Sequence, residues 1–271
     1  GNVRCWGRNE YGQLGADYPW VHNAPIQIAG LSGVIKVTVG ETRACALFGS
    51  GTVKCWGGKR AVPVAKTVSG IAHARVLVSG DNHACAIVVN GAVKCWGANN
   101  YGQLGNGSKA GSSSTPVTVS GSVQATALAA GQDHTCAIDG GAVKCWGLDS
   151  ASQLGSATPT NAAPKVPTPV IRTAVAVRGI AQPISISAGT ASSCAVLING
   201  SAWCWGGNGT GELGAGVGSP AKSATPLQVD PGVLPGVRSI ASGAAHACAI
   251  ATAGSLWCWG WNQSGQLGDG T

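Results

Sequence analysis

The chain contains no methionine, and only 10% of its 271 residues are charged. No apolar run approaches the ~18 residues a membrane-crossing helix needs, and no secretory leader is visible. No window sustains a helical period, which excludes a helical framework. Paired carboxylates, a nucleophile elbow and closely spaced metal ligands are all missing. Their absence argues against an enzyme and against a resident metal or cofactor. With no initiating methionine, the chain starts inside a repeat and stops just before the next unit should begin. The expectation is one domain over residues 1–271, incomplete at both ends and part of a longer protein.

What is abundant is glycine, at 43 residues, and self-similarity. The triplet Cys-Trp-Gly begins at Cys5, Cys55, Cys95, Cys145, Cys204 and Cys258, in steps of 50, 40, 50, 59 and 54 residues. Periods of this size mark solenoids, propellers or arrays. A second cysteine precedes most triplets, at Cys45, Cys85, Cys136, Cys194 and Cys248, and a glycine stands five residues before each, at Gly40, Gly80, Gly131, Gly189 and Gly243. Upstream again are proline-led apolar runs such as Pro25–Ile28, Pro116–Val119 and Pro226–Val229. The glycine-separated stretches are alternating or β-branched and read as short strands. With the proline-led run placed first, where a strand tolerates proline, each unit holds about four strands, as a propeller blade does. The expected fold is all-β: a propeller of four-stranded blades, five complete plus one terminal strand. Trp6, Trp56, Trp96, Trp146, Trp205 and Trp259 are expected to be largely buried.

The formal charge of +7 is spread from unit to unit. Arg4, Lys54, Lys94 and Lys144 directly precede triplet cysteines, on the face of the tryptophan two residues on. Their stems are expected to lie over the indoles with some cation–π contribution, rather than to form a nucleic-acid patch. Lys59, Arg60, Lys66 and Arg75 make the only local basic cluster.

Ten of the eleven cysteines form pairs. The spacing is 10 residues for Cys45–Cys55, Cys85–Cys95, Cys194–Cys204 and Cys248–Cys258, and 9 for Cys136–Cys145. A two-residue loop at Gly140-Gly141, against three-residue loops such as Gly49-Ser50-Gly51, keeps the partners opposed in every hairpin. Intra-hairpin disulfides are the first reading, buried reduced thiols the second and zinc the third. Disulfides place the chain outside the cytosol, extracellular or on a cell surface. Cys5 is left unpaired.

The unit Gly-x-x-His-x-Cys-Ala-Ile…Gly-x-Val-x-Cys-Trp-Gly-x-Asn-x-x-Gly-Gln-Leu-Gly resembles the regulator of chromosome condensation repeat. Gly131–Ile138 and Asn99–Gly105 carry the resemblance most clearly. It covers essentially the whole chain and implies a β-propeller, usually seven-bladed. The doubled cysteines resemble secreted bacterial members rather than the nuclear exchange factor. There are departures: Gly-Gln-Leu-Gly is deleted after Trp56, Ser152 and Glu212 replace repeat residues, and Arg43 and Ser192 stand where His83, His134 and His246 stand elsewhere.

Those three histidines recur from unit to unit, which suits structural hydrogen bonding better than a single catalytic base. Asp133 and Asp139 read as isolated carboxylates on turns. Tyr18, Trp20 and His22 break the repeat within a variable connection, and with Trp261 they are the candidate binding residues. The functional expectation is a propeller binding a protein or other extracellular macromolecule, without nucleic acid or a membrane span, as part of a larger assembly. A secreted inhibitor filling an enzyme cleft is the alternative. Nucleotide exchange on a small GTPase comes third, because disulfides count against it.

Overall fold

A computed structural model describes residues 2–16, 20–58, 64–122, 124–156, 170–230, 232–234 and 236–271. Among these residues there are 21 strands and no helix. They form six antiparallel sheets in chain order. The first holds β1 (Arg4–Arg8) and β2 (Val21–Gln27), and the second β3 (Val34–Val39), β4 (Arg43–Phe48), β5 (Val53–Gly57) and β6 (Lys66–Thr67). The third holds β7 (Val76–Ser79), β8 (His83–Ile87), β9 (Val93–Ala98) and β10 (Ser112–Thr118). The fourth holds β11 (Ala125–Ala130), β12 (His134–Asp139), β13 (Ala142–Leu148) and β14 (Val170–Ala176). The fifth holds β15 (Pro183–Ala188), β16 (Ser192–Leu197), β17 (Ala202–Gly207) and β18 (Lys222–Gln228). The sixth holds β19 (Val237–Ser242), β20 (His246–Ala251) and β21 (Leu256–Gly260).

The four-stranded antiparallel blade is as expected, but the strands divide differently. Four sheets are four-stranded and two are partial, instead of five complete blades plus one terminal strand. The proline-led run does not open a blade. It folds back onto the preceding Cys-Trp-Gly strand and closes that blade, as β10 does on β9. Nor does the proline start its strand. Pro116 lies inside β10, between Ser113 and Val117 where the ladder slips. An outer strand interrupted by a bulge needs no donor there.

Cysteines face each other in all five hairpins, and each pair is a disulfide: Cys45–Cys55, Cys85–Cys95, Cys136–Cys145, Cys194–Cys204 and Cys248–Cys258. Asp139 pairs with Ala142 across Gly140-Gly141, whose φ angles of 61° and 77° suit a two-residue hairpin turn. Cys5 is the free cysteine, half-buried on β1.

Five hydrophobic clusters fill the interfaces between successive sheets. Trp146 and Trp205 are fully buried in two of them. Each removes about 200 Å² from water, a gross gain of about 5 kcal/mol. Two of the six indoles depart from expectation. Trp6 is 63% exposed, because no described sheet covers that face of β1, and Trp259 is half-buried.

The repeated glycine before each inner turn has a steric role. A Cβ on Gly40 would lie 2.2 Å from the Gly80 carbonyl oxygen, one on Gly80 2.2 Å from that of Gly131, one on Gly131 2.3 Å from that of Gly189, and one on Gly189 2.4 Å from that of Gly243. Each glycine therefore abuts the next around the axis. Only a residue without Cβ permits that approach.

Candidate functional site

With strand order 1-2-3-4, the connections between strands one and two and between strands three and four emerge at the same end of every sheet. This upper end carries the longest connections. Most contain the turn Asn-x-x-Gly-Gln-Leu-Gly, which organises itself. The side-chain oxygen of its first residue accepts the leucine N–H: Asn9 from Leu14 at 2.9 Å, Asn99 from Leu104 at 3.1 Å, Asp149 from Leu154 at 3.0 Å, Asn208 from Leu213 at 3.0 Å and Asn262 from Leu267 at 2.9 Å. The departures preserve it. Ser152 takes the left-handed φ of 67°, and the Glu212 carboxylate accepts the Thr210 N–H at 2.8 Å as a glutamine oxygen does elsewhere.

The turn receives the next sheet. Indole Nε1 donates to its main-chain carbonyl from Trp56 to Gln13 at 2.9 Å, and at 3.0 Å from Trp146 to Gln103, Trp205 to Gln153 and Trp259 to Glu212. At two junctions a histidine adds to this. Thr135 Oγ1 donates to the Gln103 carbonyl at 3.2 Å and Ser193 Oγ to that of Gln153 at 2.9 Å. With those hydroxyl protons committed, Nε2–H of His83 donates to Thr135 Oγ1 at 2.8 Å, and Nε2–H of His134 to Ser193 Oγ at 2.9 Å. Burial holds the His83 imidazole down at about 3 and that of His134 at about 4, so both are neutral. These histidines bond structurally, as their recurrence suggested.

Two charged positions behave differently from the sequence reading. Lys94 Nζ donates to the Gly70 carbonyl at 3.0 Å and Lys144 Nζ to that of Gly121 at 2.8 Å, so the ammonium heads bond main chain instead of lying over indoles. The cation–π pair among the described residues is Lys54 over Phe48, 5.3 Å from the ring centroid. The side chains leave from the tryptophan face, but their heads bond the connection from the preceding sheet. Asp139 is not isolated on a turn either. It ends β12, is buried, and pairs with Lys144 at 2.9 Å. Asp133 accepts from Gln103 Nε2 at 2.9 Å. Burial raises its carboxyl, with Asp81 and Glu41 adding to the effect.

Of the candidate binding residues, Tyr18 lies outside the described residues. Trp20 is 51% exposed at the end of the first upper connection, and Trp261 is 37% exposed just after β21. His22 lies within β2, opposite Gly7, rather than on a loop. Trp20 and Trp261 thus share the upper end but belong to the first and sixth sheets. The structure adds Tyr11 and Tyr101, both exposed, from equivalent positions of two Gly-Gln-Leu-Gly turns. They line a recess of about 870 Å³ together with Arg43 and Asp133, above the second sheet, whose upper connection is short. The deletion after Trp56 signalled this gap in the sequence. Among the described residues no group of three or more His, Cys, Asp or Glu side chains is arranged to hold a metal.

A family model described as the regulator of chromosome condensation (RCC1) repeat matches residues 1–47, 90–138 and 199–250, and a second of the same description matches residues 237–266. The chain is 34% identical over 116 residues to an X-linked retinitis pigmentosa GTPase regulator homolog of Caenorhabditis elegans, covering 41% of this chain and 8% of that protein. It is 33% identical over 85 residues to the ultraviolet-B receptor UVR8 of Arabidopsis thaliana, covering 31% of this chain and 19% of the receptor. The match thus spans less than a fifth of either relative. Among solved structures, human WBSCR16 superposes with a TM-score of 0.85 at 21% identity, over 99% of this chain and 74% of that one. Prp20p of Saccharomyces cerevisiae superposes with a TM-score of 0.84 at 21% identity, over 100% and 70%. Both share the fold. With the first repeat model alone matching more than half of its residues, the chain belongs to the regulator of chromosome condensation repeat family.

Proposed function

We propose that the chain is a non-enzymatic, extracellular or cell-surface propeller that binds a protein or other macromolecule through the upper connections of its sheets, as a module of a larger assembly. The observation that carries this reading is the set of exposed aromatics, Tyr11, Trp20, Tyr101 and Trp261, all on the upper connections of the sheets. Rigid aromatic side chains supply contact area at low entropic cost. Five disulfides support an oxidising compartment. Protein binding is a use of this fold elsewhere: Prp20p is described with binding to Gsp1p and histones, and yeast RCC1 in a complex with Kap60. Aromatics gathered at one end also favour the second reading, a secreted inhibitor that fills an enzyme cleft.

The test is affinity capture of partners under oxidising conditions. Trp20→Ala is expected to weaken capture about tenfold or more with little change in thermal midpoint. A large fall in midpoint would show that Trp20 packs its own sheet, and the reading would lose its main support. A captured enzyme whose activity falls on binding selects the inhibitor reading.

A further inference from the structure

Among the described residues, the junction between the second and third sheets lacks both elements that tie other sheets together. The Gly-Gln-Leu-Gly turn is deleted after Trp56, so its carbonyl is not offered to Trp96. Arg43 replaces the histidine, and Ala84 stands where Thr135 and Ser193 supply hydroxyls. Trp96 is only 5% exposed, yet its Nε1 bonds to no acceptor among the described residues. The Arg43 side chain also has no hydrogen bond or ion pair among them. Its guanidinium lies over Gly58, where a Cβ would fall 2.3 Å from Nε.

Between these groups is a hollow of about 390 Å³, lined by Arg43, Trp56, Lys66, Trp96, Ser114 and Thr115 among others. Among the described residues its charged lining is Arg43 and Lys66, both cations. The carboxylates of Glu41, Asp81 and Asp133 do not line it. The hollow therefore offers a guanidinium fork, an ammonium, an indole N–H and the hydroxyls of Thr67, Ser69, Ser114 and Thr115 against an indole floor, with no anion among the described lining residues.

We propose that this hollow recognises a carboxylate: the side chain of an aspartate or glutamate presented by a partner polypeptide. The arginine fork matches the planar carboxylate in two parallel hydrogen bonds. The indole N–H supplies a donor, as it does to a main-chain oxygen at the other junctions. The volume falls within the range of side-chain and ligand pockets. The proposal rests on the protein-binding reading only for the source of the carboxylate.

The full chain, kept oxidised, is titrated with a capped peptide of alternating glycine and glutamate, with its glutamine counterpart and with inorganic phosphate. The readout is the indole Nε1–H region of a ¹H–¹⁵N spectrum, with the Trp96 resonance assigned through Trp96→Phe. The glutamate peptide is expected to shift the Trp96 resonance saturably and the glutamine peptide to leave it in place. Arg43→Gln should weaken the response about tenfold or more. Arg43 is exposed, and unmoved resonances of the other indoles will show that the variant is folded. No shift, a shift that survives Arg43→Gln, or an equal response to the glutamine peptide overturns the proposal. An equal response to phosphate means an adventitious ion only, and overturns it too. None of these outcomes alters the Trp20→Ala capture result, so the two readings fail separately.

Discussion

Replacing Gly131 by alanine tests the axial packing most sharply. The residue is not in the left-handed region, so its backbone accepts alanine and the cost is steric. The new Cβ would lie 2.3 Å from the Gly189 carbonyl oxygen and 2.3 Å from His134 Cε1. Neither neighbour can yield cheaply. The carbonyl belongs to a turn that abuts Gly243 in its own turn, and His134 is fully buried and tied to Ser193. Overpacking costs about 1–3 kcal/mol, and displacing the imidazole forfeits a hydrogen bond of about 1 kcal/mol. The expected loss is therefore about 2–4 kcal/mol. Gly140→Ala is the reference, with a φ of 61° and nothing within 4 Å of its Cβ. There only backbone strain applies, about 1 kcal/mol. Urea unfolding of the oxidised protein, followed by tryptophan fluorescence, measures both. If Gly131→Ala costs no more than Gly140→Ala, the close axial packing is not real.

Trp146→Phe and Trp96→Phe remove similar apolar area, but only the first removes a bond, to the Gln103 carbonyl. Trp146→Phe is expected to cost about 1 kcal/mol more in the same unfolding assay, and equal costs would contradict the role assigned to the indole N–H. His83 and His134 are held neutral in the fold, at about 3 and about 4 against an ordinary 6.5. The unfolded chain then binds more protons below pH 6.5. Their contribution is complete above that pH and is lost as pH falls towards 4 and then 3, by up to about 1.4 kcal/mol per pH unit for each histidine. His83→Asn should flatten this slope between pH 6.5 and 4, and an unchanged slope would refute the coupling. Thiol titration in denaturant without reductant should find one free thiol, Cys5. Reduction should destabilise each hairpin by about 2–3 kcal/mol, and more than one thiol in the unreduced protein would overturn the bridges.

The hairpins and their bridges were legible because they are local. A one-residue change in cysteine spacing is matched by a one-residue change in the turn, and both are visible within a dozen residues. The division into sheets was not legible, because a period has no phase. The same 21 strands can be cut anywhere, and only the pairing of β10 with β9 fixes the cut. The exposure of Trp6 was hidden for a related reason: its repeat position implies burial, but a neighbouring sheet must supply the cover. Alternation placed Lys94 and Lys144 on the correct face but could not say that their heads reach main-chain oxygens. Gln103 and Gln153 were recognised as repeat residues, yet the atom that matters is their carbonyl, which leaves no side-chain signature. For the site, the deletion after Trp56 was visible. Its consequence, a hollow holding Arg43 and Trp96, required three-dimensional neighbours. The aromatic connections were identified as variable, but Tyr11 and Tyr101 were masked by belonging to the repeat.

A row of sheets joined only to their neighbours has a stability that sums over units and junctions. Among the described residues, four of the five junctions carry an indole-to-carbonyl bond, and the one between the second and third sheets carries neither that bond nor a histidine–hydroxyl pair. Bonds that do cross there, from Thr42 Oγ1 to Asn82 and from Asn82 Nδ2 to Glu41, are exposed and contribute less than the buried ones they replace, so the coupling is expected to be weaker by about 1 kcal/mol. Cooperativity breaks where coupling is small, so the first two sheets are expected to open apart from the remaining four. In hydrogen exchange, amides of β3 to β5 should open as a group, separately from those of β8, β12 and β16. The deleted turn that opens a hollow on the surface is then also expected to set where the molecule comes apart.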